Sequence, residues 1–407
     1  MFDNEFPPLG GGTGVVNYHL FQQFSEQVDV TVDLVTSSRD RCAYERERFS
    51  ERITLYKVPV DNGNIHHATN RELLRYAWRG LWQAERLQQR FHYDLSFAFA
   101  GVPAGAMSYW LSLRTGLPYL VSLQGPDVPG FEARYTPLYP VLKPLLRRIW
   151  RRAGAVTAIS QEQCALVHQT LPGLPLAVVP NGVDTLAFTP SQIPRYGQEV
   201  SILCVARLIE RKGQNHLLQA IARLRKETST AVKLVLVGTG DAEQALRSLA
   251  NELGIQDAVS FRGYVARESM PTVYQESDIF VLPSEHEGMS IALLEAMASG
   301  LPVVVTDTGG TAELVSRNIN GEIVRWAEVD ELKNALRRLV ADPCRRQAFG
   351  QVSRERALAF GWPSLADRYL SLCREVAGQA SSGSAYIQRA ASPSAAVSEL
   401  GRARDPL

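Results

Sequence analysis

"SEHEGMSIALLEAMASGLPVVVTDTGG", residues 284–310, sets two glutamates, Glu287 and Glu295, eight positions apart around the start of an expected helix. The apolar run "DIFVLP" precedes it and "LPVVV" follows. Strand, loop, helix, strand is the repeating unit of a parallel sheet covered on both faces. In such sheets ligands gather beyond the carboxyl ends of the strands, and the loop after "DIFVLPS" is one such end. A helix beginning near Ser290 leaves the amides of Gly288, Met289, Ser290 and Ile291 free to meet an anion. Eight residues span about 12 Å if helical, more than the roughly 5 to 9.5 Å between the carboxylates of a glycosidase. That spacing suits two carboxylates holding hydroxyls at separate places on one extended ligand. Two solvated helix-end charges fit this stretch alone equally well.

Outward from here the alternation continues. Strand candidates in the first half are "VDVTVDLVTS", "ITLYKVPV", "YDLSFAFA", "LPYLVSLQG", "AVTAIS" and "LAVVP", with helical segments at 70–90, 136–153 and 161–170. The second half adds "VSILCVARL", "VKLVLVGTG", "VSFRGY", "DIFVLPS" and "LPVVVTDTGG". These are too many strands for one compact sheet, and "NGVDTLAFTPSQIPRYGQEV" (181–200) has the composition of a linker between two. A (β/α)8 barrel would not need this mid-chain break. The boundaries expected are 1–180 and 181–362. Helices follow near 329–341, 344–359 and 363–377, and 378–407 reads as a disordered Ala/Ser-rich tail. The first strand reads as clipped, since only "MF" precedes "DNEFPPLGGGTG". The expectation is that the native start lies upstream.

Composition narrows the function. With 43 Lys and Arg against 42 Asp and Glu, the chain lacks the basic excess of a nucleic-acid binder. Its five cysteines are scattered and form no C-x-x-C, so neither a disulfide framework nor a zinc knuckle is expected. No apolar run is long enough to span a bilayer, and the first residues do not resemble a signal peptide. These features read as a cytoplasmic protein. The His66–His67 pair reads as surface rather than metal site.

A second cluster, "VARLIERKGQNHLL" (205–218), follows a strand and opens a helix. Arg207 and Lys212 there could neutralise a diphosphate, Arg as a planar fork and Lys as a compact charge. If that diphosphate is a leaving group, the two cations stabilise charge as it develops. An ordinary basic turn has the same composition. "VGTGDAEQAL" (237–246) and "FRGYV" (261–265) are further strand ends, each weak alone. "PPLGGGTG" places Gly11 and Gly12 in a flexible loop before a helix, suited to a phosphate or a sugar. It does not have the G-x-G-x-x-G spacing of a dinucleotide fingerprint.

In this order and spacing, "VPNGVD", "VARLIERKG", "LVGTG", "FRGYV", "PSEHEGMSIALLEAMASGLPVV" and "GGTAELV" resemble the retaining glycosyltransferases of family 4. The resemblance runs from residue 7 to about 377. It implies the GT-B fold: α/β, with two facing Rossmann-like doubly wound domains and a final helix (363–377) crossing back to the first. It also implies roles. Arg207 and Lys212 would hold the donor diphosphate, Glu287 the transferred sugar, Glu295 the ribose, and amides from Gly288 through Met289 and Ser290 to Ile291 the sugar and phosphates. Tyr264 and Val265 would lie by the base, and Gly11 and Gly12 near acceptor and diphosphate. Arg207, Lys212 and Glu287 would be the catalytic set.

Two departures stand out. Where the family often carries a His after the strand "LVSLQGPD", this chain has Gln124, which can hydrogen-bond a hydroxyl but cannot take a proton. Its "EGMS" replaces the common "EGFG", so Ser290 narrows the space beside the sugar. No D-x-D is present, and neither a metal nor any other cofactor is expected beyond the nucleotide-sugar donor. The acceptor implied is a saccharide or a lipid-linked saccharide. The basic amphipathic segment "YPVLKPLLRRIWRR" (139–152) could rest on a membrane face; a solvated helix flank reads as well. An epimerase or hydrolase of the same fold, or an inactive nucleotide-sugar-binding protein, are the competing functions.

Overall fold

The computed structural model describes residues 1–381 except 41, 62, 64–67, 132 and 193–198; His66 and His67 and the tail from 382 fall outside the described residues. The first half builds β1 (Val32–Ser38), β2 (Glu45–Arg48), β3 (Ile53–Pro59), β4 (Ser96–Phe99), β5 (Tyr119–Ser122), β6 (Ala155–Ala158) and β7 (Ala177–Val178). They run in the orders β1-β3-β2 and β4-β5-β6-β7. Residues 1–3 join the two sets. Phe2 bridges in parallel to Val35 of β1 and Ala98 of β4. Its N–H donates to the Phe97 carbonyl at 2.8 Å, and its carbonyl accepts from the Phe99 N–H at 2.9 Å. These residues therefore form a short stub at the centre of the sheet. Beside it, a 240 Å³ cavity lies among Met1, Val32, Asp33, Ser96 and Phe97, at the amino ends of the strands.

The second half builds β8 (Glu199–Val205), β9 (Ala231–Val237), β10 (Val259–Gly263), β11 (Ile279–Leu282), β12 (Val303–Thr306) and β13 (Gly321–Val324). Their order is β10-β9-β8-β11-β12-β13, parallel throughout. Every residue of β11 and β12 is buried, as expected of strands covered on both faces. The strand order reverses between β8 and β11. In the first sheet it reverses at the stub, between β1 and β4. Such reversals open crevices at carboxyl ends.

Two stretches differ from their composition. The polar segment 181–200 reads as a linker, yet Asn181, Val183 and Phe188 are buried. Val183 and Phe188 pack into the second domain's core, and the Val183 N–H donates to the Phe360 carbonyl at 2.8 Å. Widely spaced apolar residues anchored by such contacts carry no periodicity to detect. The final helix runs Trp362–Ser381, past 377 into the stretch expected to be disordered. Gln379 extends it by bonding Glu375, one turn back, at 3.1 Å. Its buried residues Trp362, Leu365, Ala366, Tyr369 and Leu370 pack with Phe21, Leu34, Phe97 and Phe99 of the first domain. Arg374 pairs with Asp29 at 2.9 Å on the same side.

Candidate active site

The quoted stretch forms the β11 end, its loop and the helix Ile291–Ala298. Ser290 is the N-cap: its hydroxyl accepts from the Leu293 N–H at 3.3 Å. The Gly-Gly turn at 309–310 explains its own presence. Gly309 has φ +55°, and a Cβ there would stand 1.5 Å from the Glu287 carbonyl oxygen. The Gly310 N–H donates to the Gly288 carbonyl at 2.6 Å. The turn therefore braces the glutamate loop from behind through backbone contact that only glycine permits. Buried Asn181 holds the other flank by donating to the Met289 carbonyl at 2.8 Å.

At the end of β8, the turn holding Arg207 is fixed by Gln214, whose Nε2 donates to the Arg207 carbonyl at 2.9 Å. Gly213 has φ +69°, and a Cβ would stand 2.0 Å from the Pro283 carbonyl oxygen. This close approach brings the β8 and β11 loops together. Lys212 Nζ consequently meets Glu287 Oε1 at 2.5 Å, with both side chains largely buried. The Ser284 hydroxyl donates to the same oxygen at 2.7 Å. Glu287 Oε2 has no such bond among the described residues, which leaves one carboxylate oxygen for a ligand hydroxyl.

Glu295 lies deeper in the same helix. Burial pushes its carboxyl up to about 7, against the pull of the Tyr274 hydrogen bond and the Arg267 charge. The Tyr274 hydroxyl donates to Oε2 at 2.8 Å. Arg267 follows β10, and its guanidinium sits 5.4 Å from the Tyr18 ring of the first domain, spanning the crevice. Val265 is half-buried, whereas Tyr264 is 76% exposed.

The first domain supplies the facing wall. Gly11 and Gly12 begin the helix Gly12–Ser25 with no side-chain cap, and a Cβ at either would meet nothing within 4 Å. Such an open helix terminus favours an anion. Glu5 Oε2 accepts the Gly11 N–H at 2.8 Å. Burial raises the Glu5 carboxyl, partly offset by the Gly11 amide and by the charge of Arg207. One carboxylate thus holds a glycine-loop amide and lies within the field of a cation of the opposite domain. Gln124 donates from Nε2 to the Ser122 hydroxyl at 2.8 Å, and that hydroxyl shares a 2.9 Å bond with Tyr369 of the last helix. Elsewhere along the crevice, Glu313 accepts from the Gln161 N–H at 2.6 Å, and Gly288 packs against Ile159 and Phe131.

The structure therefore gathers Arg207, Lys212, Glu287, Gly288, Met289, Ser290, Ile291 and Glu295 at the reversal between β8 and β11. Gly11 and Gly12 stand at the matching reversal of the first sheet. Sequence reading missed Glu5, Ser284, Arg267, Tyr274 and Asn181. Ser284, three residues before Glu287 in the same loop, carried a local signal. Tyr274 precedes Glu295 by twenty-one residues and carried none. Among the described residues no three His, Cys, Asp or Glu side chains cluster to hold a metal ion.

The chain is similar to known proteins in sequence and in fold. "Glycosyl transferases group 1" matches residues 188–356, and "Glycosyltransferase Family 4" matches 10–186. A GDP-mannose-dependent alpha-(1-6)-phosphatidylinositol monomannoside mannosyltransferase of Mycobacterium tuberculosis is 33% identical over 262 residues, covering 60% of this chain and 68% of that protein. An alpha-maltose-1-phosphate synthase of Mycolicibacterium smegmatis is 26% identical, covering 92% and 98%. Among solved structures, the sucrose-phosphate synthase of Thermosynechococcus elongatus superposes with a TM-score of 0.79 at 22% identity, covering 90% and 93%. Anabaena HepE in complex with UDP and glucose gives 0.69 at 20%, covering 91% and 97%. Two doubly wound domains, a shared crevice and these matches in sequence identify the chain as a GT-B glycosyltransferase of family 4.

Proposed function

We propose that the chain moves a sugar from a nucleoside-diphosphate sugar to a saccharide or lipid-linked acceptor, with retention of anomeric configuration. The carrying observation is the Lys212–Glu287–Ser284 cluster at the crevice. A cation and a carboxylate held this close can serve the two ends of one departure: Lys212 and Arg207 meet the diphosphate as its charge grows, and Glu287 Oε2 orients the sugar. The bond from the anomeric carbon to phosphate oxygen breaks, and a bond to the acceptor oxygen forms on the same face. The acceptor proton passes to a departing phosphate oxygen. Glu287 acts as a holder rather than a nucleophile, since Lys212 and Ser284 already restrain it.

Glu295 would accept ribose hydroxyls, with Tyr274 fixing its rotamer. Amides 288–291 and the open Gly11–Gly12 terminus supply the remaining donors. The two cations support transfer without a metal, and assay of EDTA-dialysed enzyme checks this. A cytoplasmic setting suits the five cysteines, all of them free. The relatives direct the donor test to GDP-mannose and UDP-glucose. Each is incubated with the chain and a membrane-lipid extract, and products are read by mass spectrometry and anomeric NMR coupling. A new glycoside with the donor's configuration is expected. Free sugar or an isomerised donor as sole product would replace this reading by the hydrolase or epimerase alternative, and inverted product would remove retention.

A further inference from the structure

The first domain carries three neighbouring helices, Asn70–Phe91, Ala104–Thr115 and Tyr139–Arg152. The first two lie side by side, joined by the Glu85–Arg114 pair at 3.2 Å. Arg152 of the third bonds the Ser112 hydroxyl of the second at 3.2 Å. Together they form one wall of the domain.

Its exposed side is unusual in two ways. First, it is aromatic. Leu74, Trp78 and Trp82, each four residues apart along one helix stripe, are 72%, 80% and 46% exposed, and Trp110 and Leu113 on the next helix are 46% and 51% exposed. From about 250 Å² per large aromatic side chain, the three indoles present on the order of 400 Å² to solvent, as much as the largest patch on an ordinary monomer. Second, it is cationic. The three helices hold eleven Arg and Lys against two Glu, while the whole chain is only +1. Both glutamates are already engaged, Glu72 in a capping box and Glu85 with Arg114. Arg86 lies 3.4 Å over the Trp82 ring, a cation riding on an indole.

The third helix alone does not make a docking face. Its Leu146, Ile149 and Trp150 are buried in the core and Arg147 is tied to the Thr170 carbonyl at 2.7 Å, which leaves outward Arg148 and Arg151 with Val141 as its large exposed apolar residue. The contact expected from 139–152 is thus electrostatic only, and its apolar partner is the tryptophan stripe two helices away.

We infer that this wall is a bilayer-docking surface for anionic phospholipid: Trp78, Trp82 and Trp110 enter the headgroup boundary while Arg86, Arg148 and Arg151 meet lipid phosphates. Indoles prefer that boundary, and clustered Arg is drawn to an anionic leaflet. The placement is also functional. The stripe begins one turn inside a helix that follows the carboxyl end of β3, and carboxyl ends face the crevice. A docked molecule would hold its crevice mouth near the lipid surface. This inference goes beyond sugar transfer and is tested without it.

The full chain is sedimented with vesicles of phosphatidylcholine alone or with 30% phosphatidylglycerol. At least tenfold stronger partition to the anionic vesicles is expected, with brominated lipid quenching the indole fluorescence. Trp78→Ser with Trp82→Ser should cut partition at least tenfold, and Arg148→Glu with Arg151→Glu should do likewise. Both variants should keep the wild-type melting curve and its shift with GDP or UDP, so a lost donor site is told apart from a lost surface. The inference is overturned if the tryptophan variant sediments like wild type, or if brominated lipid leaves the fluorescence unquenched. It is also overturned if the wild type instead forms a concentration-dependent dimer that the same variant dissolves.

Discussion

The two domains share a mostly parallel sheet with a reversal that opens onto the crevice, yet they furnish it differently. In the second domain the furnishing is side chains locked in place. Lys212, Glu287 and Ser284 are cross-bonded, and two glycines pressed against carbonyls hold their loops together. In the first domain it is backbone and space: uncapped Gly11 and Gly12 at a helix start, with Glu5 across the opening. Under the proposed transfer, a donor with a charged leaving group needs fixed counter-charges, whereas an acceptor needs room. The same topology serves both because the chemistry resides in the loops at the strand ends.

The largest effects should come from breaking the locked side. Lys212→Ala and Glu287→Ala are each expected to lower kcat by about 10²-fold or more, the scale of removing a group that meets developing charge. Circular dichroism should show both folded. Removing one partner leaves the other partly buried and unpaired, so a Tm loss accompanies each; Lys212→Ala/Glu287→Ala should recover part of the Tm but none of the rate. Recovery of rate in the double variant would mean that the pair serves folding alone.

How much of this could be read in the sequence obeys the same division. The second domain's site is compact along the chain: β8 with Arg207 and Lys212, β11 with Glu287 and Glu295. Strand–loop–helix periodicity places such residues at carboxyl ends without any tertiary knowledge. The first domain's site is built from distant pieces. Glu5 finds Arg207 two hundred residues away, and Gln124 is reached by Tyr369 only because the last helix returns. Local pattern carries no record of such closures. Buried Phe188 in a polar segment escaped for the same reason, since its partners are remote in sequence.

Glu295 sharpens the comparison from the electrostatic side. Its carboxyl holds a proton to about pH 7 in the folded chain, against an ordinary value of 4.5. Between those values the folded state binds more protons than the unfolded state, so this group's stabilising contribution is full below pH 4.5 and is lost as pH rises through 7. With a discount for its partial exposure, the loss amounts to about 2 kcal/mol. Glu295→Gln should flatten that part of the stability profile, measured by urea melts at pH 5 and pH 8. Nucleotide affinity should move oppositely in wild type, rising towards pH 8 as the carboxylate forms to accept ribose hydroxyls. Parallel profiles for wild type and variant would remove Glu295 from both roles.

Glu5 tests the open side. Its carboxylate uses the Gly11 amide and faces Arg207, the two groups a diphosphate would want. An anionic ligand must displace it, so Glu5→Gln should tighten GDP or UDP binding by roughly three- to tenfold, as loss of one charge–charge contest near a protein surface would allow. Calorimetry at low salt reads this directly. Weaker binding in the variant would show instead that Glu5 holds the glycine loop in the receptive shape.

The smallest effect separates the exposed aromatics of the two domains. Tyr264, at the end of β10, is 76% exposed and Trp78 is 80% exposed, so neither should cost more than about 0.5 kcal/mol of stability when truncated. Their losses should appear in different places. Tyr264→Ala is expected to weaken nucleotide binding several-fold, the order of one lost stacking contact at about 1 kcal/mol, and to leave vesicle partition unchanged. Trp78→Ser should do the reverse. If Tyr264→Ala leaves the affinities for GDP and UDP untouched, the base is held by the half-buried backbone at Val265 and the exposed ring has no part in reading the donor.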